Sequence, residues 1–216
     1  MKQLTSLLAV TSLLAACATT ASAATSGPFT TSTPISFTLT DWTSTLSFPQ
    51  FNPGLGVLNS VQLDFTSTLR TTLTVENNAA SSSSGTAKTE IQVTVQDAGN
   101  NLIAPEIDLL SPVFGYSLAP GASLTSPLLT QTGSSSDLYT LAAILAEFTG
   151  AGNITLNAST FSQTLLANTG GNTAASQVSD ASLTGTVTYT YSVVPEPSTV
   201  ALLSLAALPL LRRQRR

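Results

Sequence analysis

Hydrophobic and polar residues alternate along much of this chain, a pattern typical of strands that bury one face. The clearest example covers residues 61–75, where the odd positions are mostly apolar and the even positions are polar. A strand of that length is unusual, so we expect a bend or bulge near Ser67, or a strand that passes from one sheet to another. The alternation resumes at residues 88–96, after a serine-rich loop at 77–87. The two alternating segments are therefore predicted to form an antiparallel hairpin.

Shorter segments of the same kind predict further strands, at residues 35–39, 45–48, 107–110, 153–157, 161–166 and 183–193. One helix is predicted over residues 137–147, with Ser136 as its cap and an apolar stripe made by Leu138, Leu141, Leu145 and Phe148. The sum is an all-β fold, a mostly antiparallel β-sandwich of the jelly-roll or immunoglobulin-like kind with one short helix. An N-terminal signal helix and a C-terminal apolar helix are expected to flank it.

The first 23 residues have the features of a secretory signal peptide. Lys2 precedes an uncharged apolar run at residues 4–16, and Ala21 and Ala23 frame an A-x-A cleavage site. A second interpretation stays open, because Leu-Ala-Ala before Cys17 is also the pattern of a bacterial lipobox, in which the thiol would receive a diacylglycerol. Residues 24–34 are expected to form a linker between the signal peptide and the folded domain.

The C-terminus combines a polar breaker, an apolar run and a basic cluster. The breaker contains Val194, Pro195, Glu196, Pro197 and Ser198, and the cluster contains Arg212, Arg213, Arg215 and Arg216. Prolines fix the backbone in an extended peptide, and arginines stay on the cytoplasmic side of a membrane. The apolar run at residues 200–211 would span about 18 Å as a helix, short of the roughly 30 Å hydrocarbon core. A permanent membrane-spanning helix is therefore not expected, and a transient membrane anchor fits this length better.

This order of segments closely resembles the PEP-CTERM sorting signal of Gram-negative bacteria. The resemblance covers residues 194–216. It implies that an exosortase cleaves near residues 195–197, after a signal peptidase has acted at the other end. It also implies delivery to the cell envelope, outer surface or extracellular matrix, in cells that usually produce exopolysaccharide.

The predicted domain, residues 35–194, is similar to the choice-of-anchor E domain of bacterial surface proteins. The similarity rests on the following stretches: Thr40-Asp41-Trp42, the segment Thr45-Leu46-Ser47-Phe48-Pro49-Gln50-Phe51-Asn52-Pro53-Gly54-Leu55-Gly56-Val57-Leu58 with the alternating strand that follows from Val61, and Phe148-Thr149-Gly150-Ala151-Gly152-Asn153-Ile154. Asn52 stands where that domain usually has aspartate. The resemblance implies a surface location and supplies no catalytic residue, because the family has no assigned activity.

Composition excludes several kinds of chemistry. The chain has 8% charged residues, no histidine and one cysteine. Histidine-dependent catalysis, histidine-ligated metal sites and intramolecular disulfides are therefore excluded. Arg70 and Lys88 are the only basic residues between positions 24 and 194. Ten of the eleven acidic residues lie in the same range, since only Glu196 falls outside it. The net charge of residues 24–194 is therefore −8. Such a domain has no basic surface for nucleic acid.

Two groups of acidic and amide side chains could carry chemistry. Glu106 and Asp108 are two residues apart and would share one face of a strand. Such a pair could act as the acid and base of a glycosidase, but the simpler interpretation is that both side chains are solvated. Asp97, Asn100 and Asn101 surround a glycine with oxygen ligands suited to calcium, although the same residues are ordinary in turns.

Aromatic and hydroxyl residues offer sites for sugars. The aromatic candidates for stacking on a sugar are Trp42, Tyr189 and Tyr191. Core packing is the better interpretation of Trp42. The two tyrosines alternate with threonines and are better interpreted as part of an ordinary sheet face. Asn153 and Asn157 begin formal glycosylation sequons. Serine-rich loops at residues 81–84 and 134–136 could carry O-linked sugar or act as flexible spacers.

The sequence thus predicts a non-enzymatic, exported envelope protein, with no cofactor and with no catalytic or metal residue assigned. Its expected partners are the two processing enzymes, the membrane at the termini, and exopolysaccharide. A carbohydrate-binding module is the first alternative, and a glycan-active enzyme that uses Glu106 or Asp108 is the second.

Overall fold

The computed structural model describes residues 23–31 and 33–193. Cys17 and Ala21 lie outside the described residues, as do the sorting residues 194–198 and the arginines at 212–216. Ala23 is described, and it begins the first strand. The predicted cleavages, lipidation and sorting therefore stay predictions.

Eleven strands and one short α-helix account for most of the described residues. The strands in chain order are β1 (Ala23–Thr30), β2 (Ile35–Leu39), β3 (Thr43–Pro49), β4 (Gly56–Asn77), β5 (Ser83–Gln96), β6 (Ile107–Leu110), β7 (Phe114–Leu118), β8 (Ser123–Thr125), β9 (Leu129–Tyr139), β10 (Asn153–Thr169) and β11 (Thr173–Val193). The helix α1 is Ala142–Glu147, and a single 3-10 turn is formed by Pro53–Leu55.

The strands form two facing sheets, and all their pairings are antiparallel. The centre of the six-stranded sheet is the pair of β4 and β11. The other edge of β11 pairs with β1 and β2, each along part of its length. The other edge of β4 pairs in the same way with β8 and β9. In the five-stranded sheet β5 pairs with β10, which also pairs with β3, and β5 pairs with β6 and β7. The predicted all-β, mostly antiparallel sandwich is confirmed.

The facing sides of the sheets bury two hydrophobic clusters. The larger one includes Phe48, Phe65 and Tyr189. The second consists of Leu73, Val75, Ala87, Phe114, Tyr116 and Leu118. Between the clusters along β4 lies a hydroxyl layer of Thr71, Thr89 and Ser179. The Thr71 hydroxyl is 3.0 Å from the Thr89 hydroxyl and 2.7 Å from that of Ser179. Each hydroxyl of this layer thus has a partner, as burial requires.

The predicted hairpin between residues 61–75 and 88–96 is wrong, because β4 and β5 belong to different sheets. Alternation shows that a strand buries one face, but both sheets of a sandwich bury their faces in the same core. The predicted irregularity near Ser67 is also wrong. Ser67 pairs in regular register with Leu183, and the register shift lies at Asn59 instead. The Ser67 hydroxyl donates to the Ser182 carbonyl at 2.8 Å, so this polar group is satisfied inside the sandwich.

The predicted helix is shorter than expected, and Ser136 does not cap it. Residues 136–139 belong to β9 and pair with residues 61–64 of β4. The Ser136 hydroxyl accepts a hydrogen bond from Gln62 Nε2 at 2.8 Å and donates one to the Asp64 carboxylate at 2.5 Å. Cross-strand hydrogen bonds thus replace the expected capping bond, and the helix begins only at Ala142.

The predicted linker at residues 24–34 mostly forms β1, which pairs with β11. The predicted loop at 77–87 is partly strand, since β5 begins at Ser83. The two strands predicted at 153–157 and 161–166 are one strand, β10. Strands β7, β8 and β9 were not predicted. Small and polar residues obscure the alternation of β9, and β8 has only three residues, whereas β7 does alternate, with Phe114, Tyr116 and Leu118 buried. Within the described part of the chain, no helix has the length and apolar character needed to cross a membrane.

Candidate functional site

An open cleft of about 350 Å³ lies at one end of the five-stranded sheet. The ends of β3 and β5 meet the start of β10 there, because Asn153 pairs with Pro49, and Asn157 pairs with Gln96. The end of α1 closes one side. The lining residues are Gln50, Asp97, Ala98, Gly99, Glu147, Asn153, Ile154 and Thr155. The cleft is thus built from segments that are far apart in the chain.

Gln50 connects the sheet to the loop that follows α1. Its Nε2 donates to the Glu147 carbonyl at 2.8 Å, and its Oε1 accepts from the Gly152 N–H at 3.2 Å. A Cβ on Gly150 would collide with the Gln50 amide, so a larger residue there would force this side chain out of its present position. Gln50 therefore positions one wall of the cleft.

Asp97 organises the opposite wall. Its side chain is buried, and its Oδ1 accepts from the Leu102 N–H at 2.9 Å while Oδ2 accepts from the Gly99 N–H at 3.1 Å. Asn101 reaches across the cleft mouth, where its Nδ2 donates to Glu147 Oε1 at 3.0 Å. The predicted Asp97 turn is confirmed, and both carboxylate oxygens hold its backbone in place.

The cleft has negative and neutral polar groups. Asp97 and Glu147 supply carboxylates, Gln50 and Asn153 supply amides, and Thr155 supplies a hydroxyl, with no basic residue in the lining. Such a surface suits neutral polyhydroxylated ligands and disfavours anions. Among residues 23–31 and 33–193, no three His, Cys, Asp or Glu side chains are grouped closely enough to hold a metal ion.

Glu106 and Asp108, the candidate acid–base pair, lie outside the cleft lining. Glu106 precedes β6 and Asp108 lies on it, and both are exposed. The two side chains therefore share the solvent side, as their spacing predicts.

The candidate sugar-stacking aromatics are mostly core residues. Trp42 is 7% exposed and Tyr189 is fully buried, so the core interpretation of Trp42 is confirmed. The Tyr189 hydroxyl donates to the Pro49 carbonyl at 2.6 Å. Tyr191 is half-buried and lies with its ring centroid 5.1 Å from that of Phe51. These three residues stabilise the sandwich rather than present a stacking platform.

The sequon and serine candidates fall in different surroundings. Asn153 is exposed in the cleft, while Asn157 is half-buried on β10. Ser83 is buried and donates to the Gly170 carbonyl at 2.9 Å. Residues 134–136 were predicted as a loop, but they lie on β9.

A second polar cluster, formed by Arg70, Asp180 and Phe37, was missed by the sequence analysis. Arg70 Nε and Nη2 donate to the two Asp180 carboxylate oxygens at 2.8 and 2.7 Å. The guanidinium carbon is 3.5 Å from the centroid of the Phe37 ring. The hydrogen bonds to Asp180 raise the pKa of Arg70. Register places Arg70 directly opposite Asp180, 110 residues later in the chain, and nothing in the sequence signals this pairing.

Comparisons with known proteins identify no family for this chain. No protein-family model matches it, and no curated protein matches it. Among solved structures, similarity extends to infectious bursal disease virus strain Gx at 8% identity and a TM-score of 0.12, covering 85% of this chain and 43% of that chain. The VP2 subviral particle of the same virus is similar at 10% identity and a TM-score of 0.14, over 86% of this chain and 50% of that chain.

A secretin, InvG of the Salmonella SPI-1 type III secretion injectisome, is similar at 8% identity and a TM-score of 0.09, covering 70% of this chain and 71% of that chain. This chain spans half or less of the length of the viral chains. Similarities this weak carry no argument about fold or function.

Proposed function

We propose that this protein is an exported cell-envelope protein of a Gram-negative bacterium, sorted and processed through a PEP-CTERM type signal at residues 194–216. In this proposal it is a structural or matrix-associated component linked to exopolysaccharide. Its partners are a signal peptidase, an exosortase and the membrane that holds its termini before processing.

The position of the core within the chain supports the proposal. Among the described residues, the buried ones run from Thr31 to Tyr189. Cleavage after Ala23 and near residues 195–197 would therefore leave all of these buried residues in place. Ala23 also pairs with Ser192, so the two proposed cleavage sites adjoin neighbouring strands. Processing at both ends is thus compatible with an intact sandwich.

Intact-mass measurement of the protein from its native host tests the sorting proposal. Replacing Arg212, Arg213, Arg215 and Arg216 with glutamine should leave an unprocessed C-terminus and prevent delivery to the surface. Lys88→Gln is the control, because it removes a positive charge from the domain and should be processed normally. If the tail variant reaches the surface at the normal processed mass, the sorting proposal is wrong.

A carbohydrate-binding role is the second candidate, and the cleft beside Gln50 favours it. Its amides, carboxylates and hydroxyl are groups that hydrogen-bond to neutral sugars, and its lining has no basic residue. The exported protein should be retained on at least one matrix polysaccharide. Glu147→Gln should weaken retention, whereas Glu106→Gln, an equal change outside the cleft, should not. Absence of retention of the unaltered protein on every matrix glycan would contradict this role.

A further inference from the structure

Strands β10 and β11 extend beyond the strands that cover their outer edges. On β10, pairing with β3 ends at Ser159. On β11, β2 pairs only as far as Asp180, and the Thr40 N–H donates to the Ser179 carbonyl at 3.1 Å. Residues 163–169 of β10 and 173–178 of β11 therefore have no strand along one edge within the described part of the chain. We call these two segments the open edge.

Strand geometry identifies the backbone groups on the open edge. The Thr160 N–H donates to the Trp42 carbonyl on this side of β10, so the even-numbered residues Thr164, Leu166 and Asn168 direct their N–H and C=O groups the same way. On β11 the Ser179 carbonyl points to the open side. The odd-numbered residues Thr173, Ala175 and Gln177 therefore direct their N–H and C=O groups to that side as well.

The open edge lacks the features that normally prevent edge-to-edge pairing. Neither segment contains a charged residue or a proline, which are the usual blocking residues. Leu166 is at an inward-facing position yet is 36% exposed, and its outward neighbour Leu165 is 41% exposed. On the opposite side of the sandwich, by contrast, a Cβ on Gly133 of β9 would lie 2.8 Å from a Leu109 methyl carbon on β6. The two sheets therefore lie close together on that side.

We propose that the open edge binds a second copy of this chain, so that both sheets continue across the interface. One two-fold axis perpendicular to the sheets would pair β10 with its counterpart around Leu166, and β11 with its counterpart around Ala175. A second copy presents two free edges at the same separation, so both are covered at once, whereas one extended peptide covers only one. The uncharged segments avoid the repulsion that a net charge of −8 would cause elsewhere.

Cysteine cross-linking of the full chain tests this pairing. Paired Leu166 positions would have their Cα atoms about 5.5 Å apart, within disulfide range. Leu166→Cys should therefore yield a disulfide-linked dimer under mild oxidation. Leu110→Cys is the matched control, because Leu110 is an exposed leucine on β6, at the other edge of the same sheet. It should form no disulfide-linked dimer, and the unaltered chain gives the background from Cys17.

Two further variants separate pairing from folding, with mass in solution as the readout. The unaltered protein should be a dimer. Leu166→Lys places a charge in the interface, and Asn168→Pro removes an N–H that faces only the open edge. Both variants should have the mass of a monomer in solution. Their circular dichroism spectra should show that they remain folded. A monomeric unaltered protein, equal cross-linking of Leu110→Cys, or cross-linking of Leu166→Cys to a different protein would each overturn the proposal. This outcome is independent of whether the sorting signal is processed.

Discussion

Gly185 of β11 occupies a position where a side chain would meet two core aromatics. A Cβ there would lie 2.8 Å from Phe65 Cδ1 and 2.9 Å from Phe48 Cζ. We expect Gly185→Ala to lower the free energy of unfolding by about 1–3 kcal/mol through overpacking. Gly115 of β7 is the control, since no atom lies within 4 Å of its added Cβ. Urea unfolding should show Gly115→Ala to be neutral or slightly stabilising, and equal losses in both variants would contradict the packing argument.

Single residues could be predicted from sequence where their role depends on near neighbours. The apolar segment after Trp42 indicated its burial, and Asp97 with its following glycine indicated a turn; the structure confirms both. The cleft could not be predicted in this way, because Gln50 and Glu147 are brought together by the register of β3 and β10. Nothing in a local pattern encodes a contact across 97 residues.

The hydroxyl layer between the two hydrophobic clusters supports a prediction about how the sheets are joined. Thr71 is hydrogen-bonded to both Thr89 and Ser179. Thr71→Val should lower the free energy of unfolding by about 1–3 kcal/mol, because it leaves two buried hydroxyls without this partner.

The triple variant Thr71→Val, Thr89→Val, Ser179→Ala serves as the comparison for Thr71→Val. It removes the unsatisfied hydroxyls along with the bonds, so it should recover much of the loss. Chemical denaturation of both variants decides the point. If the triple variant had a free energy of unfolding lower again than that of Thr71→Val, by about as much as Thr71→Val is below the unaltered protein, packing rather than hydrogen bonding would explain the loss of stability.

Strands could be predicted from alternation, but their partners could not. The boundaries of β2 and β6 match those expected, and the alternating segments in β4, β5 and β11 are all confirmed as strands. The same pattern fits a strand of either sheet, so β4 and β5 were wrongly paired. The helix was overextended because Leu138 and Leu141 fit a helical stripe equally well, although pairing with β4 holds Leu138 in a strand.

At the scale of the whole molecule, the proposed cleavage sites and the open edge lie at opposite ends of the sandwich. Ala23 pairs with Ser192 near the cleft end, where Tyr191 packs on Phe51. The open edge lies toward the turn at residues 170–172, between β10 and β11. At about 3.3 Å per residue, β11 separates Gln177 from Val193 by about 50 Å. Sorting at one end and pairing at the other would therefore not compete for the same surface.

Two buried tyrosines make the whole fold sensitive to alkaline solution. Burial raises the pKa of Tyr139 to about 12, and the nearby Asp137 carboxylate adds to this effect. Burial also raises the pKa of Tyr189. A tyrosine in an unfolded chain titrates near pH 10, so the unfolded state loses these protons first. The stability that the two residues contribute is fully present below about pH 10 and is lost as pH rises through their folded pKa values.

Tyr139→Phe isolates one of these contributions. Its hydroxyl lies 3.5 Å from the Ile103 carbonyl, a long hydrogen bond, so removing it should change stability little near neutral pH. Between about pH 9 and about pH 11.5 the unaltered protein should lose about 1–2 kcal/mol more than the variant. Urea unfolding across that range measures the difference. Parallel stability curves for the two proteins would show that ionisation of Tyr139 is not coupled to unfolding, because coupling requires the variant's curve to be the flatter one.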